Sequence, residues 1–266
     1  MSAELVVTAL ETRYLRDFPR EAARMLERLP AGQAAQAIQN QAPELVVPVF
    51  EQLANDVQER LIEQLPAATM GRIFSEMDPP LAAELLLALE ADERPRWLAA
   101  MDPTARRLAE SLMAYPSDTA GRLMDPRVTS FRSGMTVAEA LDRMRAFRKN
   151  RALRELFLVD DEGLLTNRLE IQDLALAAPD QLLRQLARPV TAAVLDAAPK
   201  EEVVEKIEQQ RVPALPVVNV TGRLVGVIHQ AALLAAVQED ASLDIQTMVG
   251  ASKDERALSR AWFAVF

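Results

Sequence analysis

Carboxylates are the chemically active side chains that this sequence supplies in number. It has 39 aspartates and glutamates against 30 lysines and arginines, which gives a formal net charge of −9. His229 is the only histidine and cysteine is absent, so neither a histidine or thiolate metal cluster nor a Ser-His-Asp constellation can be built. An acidic surface is compatible with binding divalent cations, although it is more often a means of solubility.

The same composition excludes several classes of function. Non-specific nucleic-acid binding needs a basic face, which a chain of this charge does not offer. Neither a GxxxxGK[ST] phosphate loop nor a GxGxxG fingerprint occurs in the sequence. Together with the lone histidine, these absences predict a protein that is not an enzyme.

Length and hydrophobicity predict a folded, soluble chain of about two domains. Half of the 266 residues are hydrophobic, and the lack of cysteine fits a reducing compartment. The start, MSAELVV, carries Glu4 and lacks the basic-then-apolar order of a signal peptide. No apolar run approaches the roughly 20 residues that cross a bilayer, since the most apolar stretch, LAAELLLAL, is short and contains Glu84.

The first 115 residues repeat a short helical segment. An apolar residue before each break recurs every twelve positions, at Leu53, Leu65, Met77, Leu89 and Met101. Proline or aspartate tends to follow, and these residues stop one helix and start the next. Helices of about two turns are marginal alone, so each must bury its apolar stripe on its neighbours. The repeat therefore predicts an α-helical superhelix.

After Asp125 the pattern changes to strands and amphipathic helices, and one β-α-β-β-α unit occurs twice. The turn glycines of the two copies, Gly163 and Gly222, are 59 positions apart. The matched helix positions Leu141 and Val204 are 63 apart. Each copy is too small to close a good core alone, so we expect the two to pack as a pair.

The duplicated unit resembles a pair of CBS domains, small modules that often bind adenosine nucleotides or regulate a neighbouring domain. The preceding YPSDTAGRLMDPRVTSFRSGMTVAEAL is similar to the join between the helical N domain and the first CBS domain of MgtE-type magnesium transporters. The similarity is carried by Tyr115, Ala120, Gly121, Met124 and the GMTV tetrapeptide. The final LDIQTMVGASKDERALSRAWFAVF is similar to that family's passage from the second CBS domain into a connecting "plug" helix.

This resemblance implies a fold class, an α-helical superhelix N-terminal domain followed by an α+β tandem CBS domain pair. We expect the N domain over residues 1–117, the first CBS domain over 118–185, the second over 186–242 and the start of the plug helix over 243–266. The family's transmembrane domain is missing from the sequence, which ends in an apolar segment. We therefore expect the cytosolic part of a longer transporter, at the cytoplasmic face of the cell membrane; the alternative is a natural protein that has lost its pore.

The resemblance also implies magnesium sensing. In the family, acidic residues of the N domain, the second CBS domain and the plug helix repel one another, and Mg²⁺ draws them together so that the plug is held against the pore. The matching carboxylates here are Glu84, Glu239, Asp240 and Asp244. Other acidic positions of the family are absent from this chain. PLAAE stands where the family has a pattern like DDLAD, and AALLAAVQ stands where the family has an aspartate-rich helix. We therefore expect this chain to bind fewer Mg²⁺ ions, or to sense Mg²⁺ more weakly, than the family pattern implies. The alternative is that Glu239, Asp240 and Asp244 are ordinary solvated charges in a connecting segment.

A second implied ligand is ATP or another adenosine nucleotide. The nucleotide sites of CBS domains often have the sequence glycine, a hydrophobic pair, Ser or Thr, any two residues and aspartate. In that motif the Ser or Thr hydroxyl contacts the phosphate, and the aspartate binds the ribose hydroxyls. The first copy, NRLEIQD, keeps Asp173 but has Glu170 at the hydroxyl position, where a carboxylate repels phosphate. The second, GVIHQAA, has His229 and Ala232 there. Nucleotide binding is expected at Asp173 alone, unless Asp173 is an ordinary early-helix aspartate.

Partners and rival functions follow from the same patterns. Exposed apolar helix faces in a CBS tandem generally pack on a second copy, so we expect a homodimer through the CBS domains. The transmembrane domain of the same protein is the other expected partner. One rival function is a stand-alone CBS sensor of adenosine nucleotides. The other is a scaffold for a protein partner, since the helical array also resembles the superhelix of flagellar motor switch proteins.

Overall fold

The structure is a computed structural model of the chain, and it describes residues 12–146 and 154–230 together with Leu233. The chain divides into two compact units, Met1–Ser117 and Asp118–Phe266. Helices form the first unit, and the second contains two β-sheets. Among the described residues, no helix has both the length and the apolar character needed to cross a membrane.

Short helices that pack on one another make up the first unit. After a helical stretch at residues 12–17 (α1), they are α2 (Pro19–Glu27), α3 (Ala31–Gln39), α4 (Pro43–Phe50), α5 (Asn55–Gln64), α6 (Ala67–Glu76), α7 (Pro79–Ala88), α8 (Arg94–Ala100) and α9 (Pro103–Met113). Because helices this short have little stability alone, each depends on its neighbours. The contacts join every second helix, α2 to α4, α3 to α5, α4 to α6, α6 to α8 and α7 to α9. The predicted helical superhelix is confirmed.

The twelve-residue repeat marks residues that the fold buries. Leu53, Leu65, Met77 and Met101 are at most 6 % exposed, and Leu89 packs against the same core cluster. Leu65, Met77, Leu89 and Met101 each directly follow the last residue of a helix, and Leu53 lies in the turn between α4 and α5. The spacing of apolar residues in the sequence therefore predicts the core of this unit.

In space the repeating unit is 24 residues long, because it takes two helices. A side chain near the end of one helix accepts a hydrogen bond from a backbone N–H 27 residues later. This contact is made from Ala54 to Glu27 at 3.1 Å, from Asp78 to Glu51 at 3.4 Å and from Asp102 to Ser75 at 2.8 Å. Each donor residue immediately precedes a helix, where backbone N–H groups have no intrahelical partner. The repeated contact therefore satisfies a donor and ties each helix to the unit before it.

The second unit contains two sheets of the same design. The first is formed by β1 (Ser130–Arg132), β2 (Glu155–Val159), β3 (Leu165–Glu170) and β4 (Arg188–Pro189), and the second by β5 (Val194–Leu195), β6 (Ala214–Val218) and β7 (Leu224–His229). In each, a parallel pair is followed by an antiparallel pair. The helices are α10 (Ala120–Leu123), α11 (Val137–Ala146), α12 (Ile171–Leu176), α13 (Leu183–Leu186) and α14 (Lys200–Gln210). The predicted α+β tandem is confirmed.

The hairpin tips of the two copies pair with each other. Gly163 and Gly222 have φ angles of 84° and 81°, in the region that glycine adopts without steric cost. The N–H of Leu165 donates to the carbonyl of Gly222 at 3.1 Å, and the N–H of Leu224 donates to the carbonyl of Gly163 at 3.2 Å. The contact is reciprocal, so the two copies form a pair around their turns, as the duplicated sequence predicts.

Candidate functional site

Glu84 is carried by α7, the helix that begins at Pro79. Proline is favourable in a first helical turn because its fixed φ suits the helix and its missing N–H would have no partner there. One face of α7 buries alanine and leucine side chains in the core of the unit, and Glu84 lies on the exposed side. The carboxylate is therefore at a surface that a hydrated dication could reach.

The other three predicted magnesium ligands, Glu239, Asp240 and Asp244, lie outside the described residues. Among the described residues, no group of three or more His, Asp or Glu side chains is arranged to hold a metal ion. The predicted metal residues stay a prediction.

Asp173 lies in the first turn of α12, directly after β3 ends at Glu170. Its carboxylate is engaged within the protein. Arg188 donates from Nη1 to Glu170 Oε1 at 2.8 Å and from Nη2 to Asp173 Oδ2 at 2.9 Å. The side chains of Glu170 and Asp173 are 34 % and 31 % exposed, and that of Arg188 is 49 % exposed. One guanidinium thus bridges the two carboxylates of the motif in the first copy.

A more buried ion pair lies beside this bridge. Arg168 Nη1 is 2.6 Å from Glu155 Oε1 and 3.7 Å from Glu170 Oε1, and the side chains of Arg168 and Glu155 are 18 % and 9 % exposed. Glu155 stands directly opposite Glu170 in the β2–β3 ladder, where like charges repel. Arg168 lies close to both and offsets that repulsion.

Arg188 is a residue of this cluster that the sequence did not predict, as are Arg168 and Glu155. It follows Asp173 by 15 residues and belongs to the two-residue strand β4, which is too short to show an alternating pattern. Its position comes from pairing with β3, where Arg188 stands opposite Arg168. A pairing of this kind leaves no local signal in the sequence.

The second copy lacks the equivalent charges. Where the first copy has Glu155, Arg168, Glu170 and Asp173, the second has Ala214, Val227, His229 and Ala232. His229 ends β7 and stands opposite Ala214. The charged cluster is therefore a property of the first copy alone.

The junction segment before the first copy is hydrogen-bonded to the second copy. The N–H of Ala120 donates to the carbonyl of Ala198, and that of Gly121 to the carbonyl of Asp196, each at 2.8 Å. These donors belong to α10, the short helix formed by the middle of the junction. The chain thus contacts the second copy before it enters the first, which the sequence did not indicate.

The same docking continues at Asp125, which exchanges two backbone hydrogen bonds of 2.9 and 3.1 Å with Val227 in β7. Gly226 explains how the junction approaches so closely. A Cβ atom at Gly226 would overlap the side chain of Met124. The second copy therefore has glycine where the junction methionine lies against its sheet.

Comparisons with known proteins agree with the fold and the order of the domains. The family model described as "MgtE intracellular N domain" matches residues 18–118. The CBS domain model matches residues 120–179 and 184–239, and together the matches cover most of the chain. The chain belongs to the MgtE family. An N domain followed by a CBS pair is the domain order that the sequence resemblance implies.

MgtE relatives match different shares of the chain. The magnesium transporter MgtE of Thermus thermophilus is 32 % identical over 149 residues, which are 56 % of this chain and 33 % of that protein. The MgtE of Bacillus subtilis is 22 % identical over an alignment of 272 positions, which covers 98 % of this chain and 60 % of that protein. This MgtE-family chain thus spans less than two thirds of the length of these curated relatives.

A solved structure shows which part of MgtE the chain resembles. The crystal structure of the cytosolic domain of the Mg²⁺ channel MgtE in complex with ATP matches with a TM-score of 0.78 at 25 % identity. The match covers 85 % of this chain and 93 % of that one. The chain therefore has the fold of the MgtE cytosolic domain across both of its units.

Proposed function

We propose that this chain is the regulatory region of an MgtE-type magnesium transporter, which senses Mg²⁺ and controls a pore formed by a transmembrane part of the same protein. The observation that carries the proposal is the match of N domain and CBS pair, in one chain and in the same order, to the cytosolic domain of the Mg²⁺ channel MgtE. In this proposal the region works at the cytoplasmic face of the membrane and forms a homodimer through its CBS domains.

The proposed switch depends on repulsion between acidic surfaces of separately folded blocks. Glu84 supplies an exposed carboxylate on the N domain. The sequence has three further carboxylates, Glu239, Asp240 and Asp244, where the second CBS domain leads to the plug helix. Two like charges 4 Å apart in water repel by about 1 kcal/mol, and a dication between them reverses the sign. Mg²⁺ that binds only when the blocks are close shifts the equilibrium to the closed form.

The acidic positions that this chain lacks make the proposed sensing weak. Mg²⁺ keeps several of its waters and takes one or two carboxylates, so each bridging ion contributes little. Pro80 and Leu81 stand where the family pattern has aspartates, which leaves Glu84 as the acidic residue of that motif. We therefore place the response in the millimolar range of free Mg²⁺, with fewer ions than the full acidic pattern would hold.

Thermal unfolding and protease protection across millimolar Mg²⁺ test this proposal. A ligand that binds only the folded, closed form raises stability by about 2.7 kcal/mol when it is present at 100 times its dissociation constant. We expect Mg²⁺ to raise the midpoint and slow cleavage between the units, and Ca²⁺ at equal ionic strength to do so less, because Ca²⁺ prefers six to eight oxygen ligands. A chain that is indifferent to Mg²⁺ would contradict the proposal.

An adenosine nucleotide is the ligand that the rival function requires, and the cytosolic domain that this chain resembles was crystallised with ATP. ATP and AMP therefore belong in the same titration. Stabilisation by a nucleotide alone would favour the stand-alone CBS sensor, and indifference to both nucleotide and Mg²⁺ would favour the scaffold.

A further inference from the structure

A row of alternating charges crosses the end of β3 in the first CBS copy. In order it consists of Glu155, Arg168, Glu170, Arg188 and Asp173, with successive N–O distances of 2.6, 3.7, 2.8 and 2.9 Å. Carboxylates and guanidiniums alternate, so every charge has an opposite charge next to it. The row joins β2, β3, α12 and β4, four elements that meet where β3 passes into α12.

Arg188 holds the exposed end of this row. Its two terminal nitrogens contact two different carboxylates, one at the last residue of β3 and one in the first turn of α12. Arginine is suited to this role because its planar guanidinium is always charged and presents several N–H donors in a fixed fork. Hydrogen bonds between charged partners are shorter and about twice as strong as neutral ones. Arg188 therefore acts as a cation tethered at the strand–helix join.

We propose that Arg188 prevents adenosine nucleotides from binding to the first CBS copy, because it occupies the carboxylate that the ribose would use. Asp173 is the carboxylate that a ribose would need, and Arg188 already contacts it at 2.9 Å. Glu170 stands where a hydroxyl would meet phosphate, and a carboxylate there repels a phosphate group. The residues present do not fit a nucleotide that binds through the ribose at Asp173.

Displacement of Arg188 by a nucleotide is unfavourable for a further reason. A ribose hydroxyl would replace the ion pair at Asp173 by a hydrogen bond in which only the acceptor is charged, and the second bond of Arg188, to Glu170, would be lost as well. Moving Arg188 away would also remove the cation that lies between Glu170 and Asp173. Glu170 would then face the phosphate with only Arg168, 3.7 Å away, as a nearby cation within the row. The row of charges therefore opposes the ribose and the phosphate of the same ligand.

The second copy provides no replacement for Asp173. Ala232 holds the equivalent position and His229 the position of the hydroxyl. Neither copy therefore offers a free ribose-binding aspartate of the CBS kind. This inference concerns nucleotide exclusion and does not depend on the magnesium proposal.

Calorimetric titration of the full chain with AMP, in the presence of EDTA, tests the exclusion without interference from Mg²⁺. The proteins compared are the wild type, Asp173→Asn, the double variant Glu170→Thr/Arg188→Ala, and the double variant with Asp173→Asn added. Arg184→Ala serves as a matched control, because Arg184 is an exposed arginine of the same region. We expect the double variant to bind AMP at least about tenfold more tightly than the wild type, and Asp173→Asn to abolish the gain.

Two results would overturn the inference. AMP binding by the wild type that is lost in Asp173→Asn would show that Arg188 does not close the site. Equal binding by the wild type and the double variant would show that Glu170 and Arg188 are not what excludes the ligand. The wild-type measurement needs no variant to fold, and circular dichroism confirms that the variants keep their structure.

Discussion

In the helical unit most helices pack on the second helix along the chain, whereas the CBS unit is held together by residues far apart in sequence. The hairpin tips at Gly163 and Gly222 pair with each other, and the junction at Gly121 bonds to the second copy at Asp196. Local contacts repeat, so they appear as a period in the sequence. Distant contacts occur once each, and the residues that make them carry no periodic signal.

The helical unit should be most sensitive where two of its helices touch through backbone. A Cβ atom at Gly71 in α6 would overlap the carbonyl of Ala100 in α8. We expect Gly71→Ala to lower the free energy of unfolding by about 3 kcal/mol, the upper end of the usual cost of overpacking. Urea unfolding measures the change.

Gly32→Ala is the matched control for that substitution, because nothing lies within 4 Å of a Cβ atom at Gly32 in α3. We expect it to be neutral or to stabilise by up to about 1 kcal/mol, since alanine favours a helix over glycine. Equal effects of the two substitutions would contradict the close approach of α6 and α8.

The CBS unit should be most sensitive where the junction meets the second copy. Gly226→Ala places a methyl group against Met124, but the methionine side chain is flexible and can move in part. We expect a loss of about 2 kcal/mol, together with faster cleavage by protease near residues 119–125. If the variant had the same free energy of unfolding and the same rate of protease cleavage as the wild type, the junction would not be docked on β7.

The 24-residue repeat of the helical unit predicts a smaller effect. Ser75 Oγ accepts from the N–H of Asp102 at 2.8 Å and donates to the carbonyl of Gly71 at 2.6 Å. Ser75→Ala leaves that N–H without this acceptor and should cost about 1 kcal/mol in urea unfolding. Ser111→Ala is the control, because the exposed Ser111 hydroxyl bonds only within its own helix, to Leu108. Equal losses would mean that the contact between units adds no stability.

Much of the fold could be predicted from the sequence, for reasons that differ between the units. The recurring Leu53, Leu65 and Met77 marked the helical core, because helices that repeat in space repeat in sequence. The turn glycines Gly163 and Gly222 marked the two hairpins, because both turns need a positive φ. These features are local, so one sequence is enough to find them.

The candidate sites were less predictable. Asp173 was found from its motif, but its partner Arg188 was not, because only the β3–β4 pairing brings the two together. The docking of the junction on Val227 was missed for the same reason. The number of magnesium ions stays a prediction, since Glu239, Asp240 and Asp244 lie outside the described residues.

The most direct test of the magnesium proposal removes the charges that it invokes. One variant carries Glu84→Gln, Glu239→Gln, Asp240→Asn and Asp244→Asn. Its control loses the same charge at four different positions, all of them exposed, through Glu59→Gln, Glu63→Gln, Glu162→Gln and Glu208→Gln. Both are compared with the wild type in the Mg²⁺ dependence of the thermal midpoint and of the radius of gyration in solution.

The proposal predicts that millimolar Mg²⁺ raises the midpoint and compacts the wild type and the control, and that the first variant is already compact and no longer responds. A first variant that responds to Mg²⁺ as strongly as the wild type would contradict it.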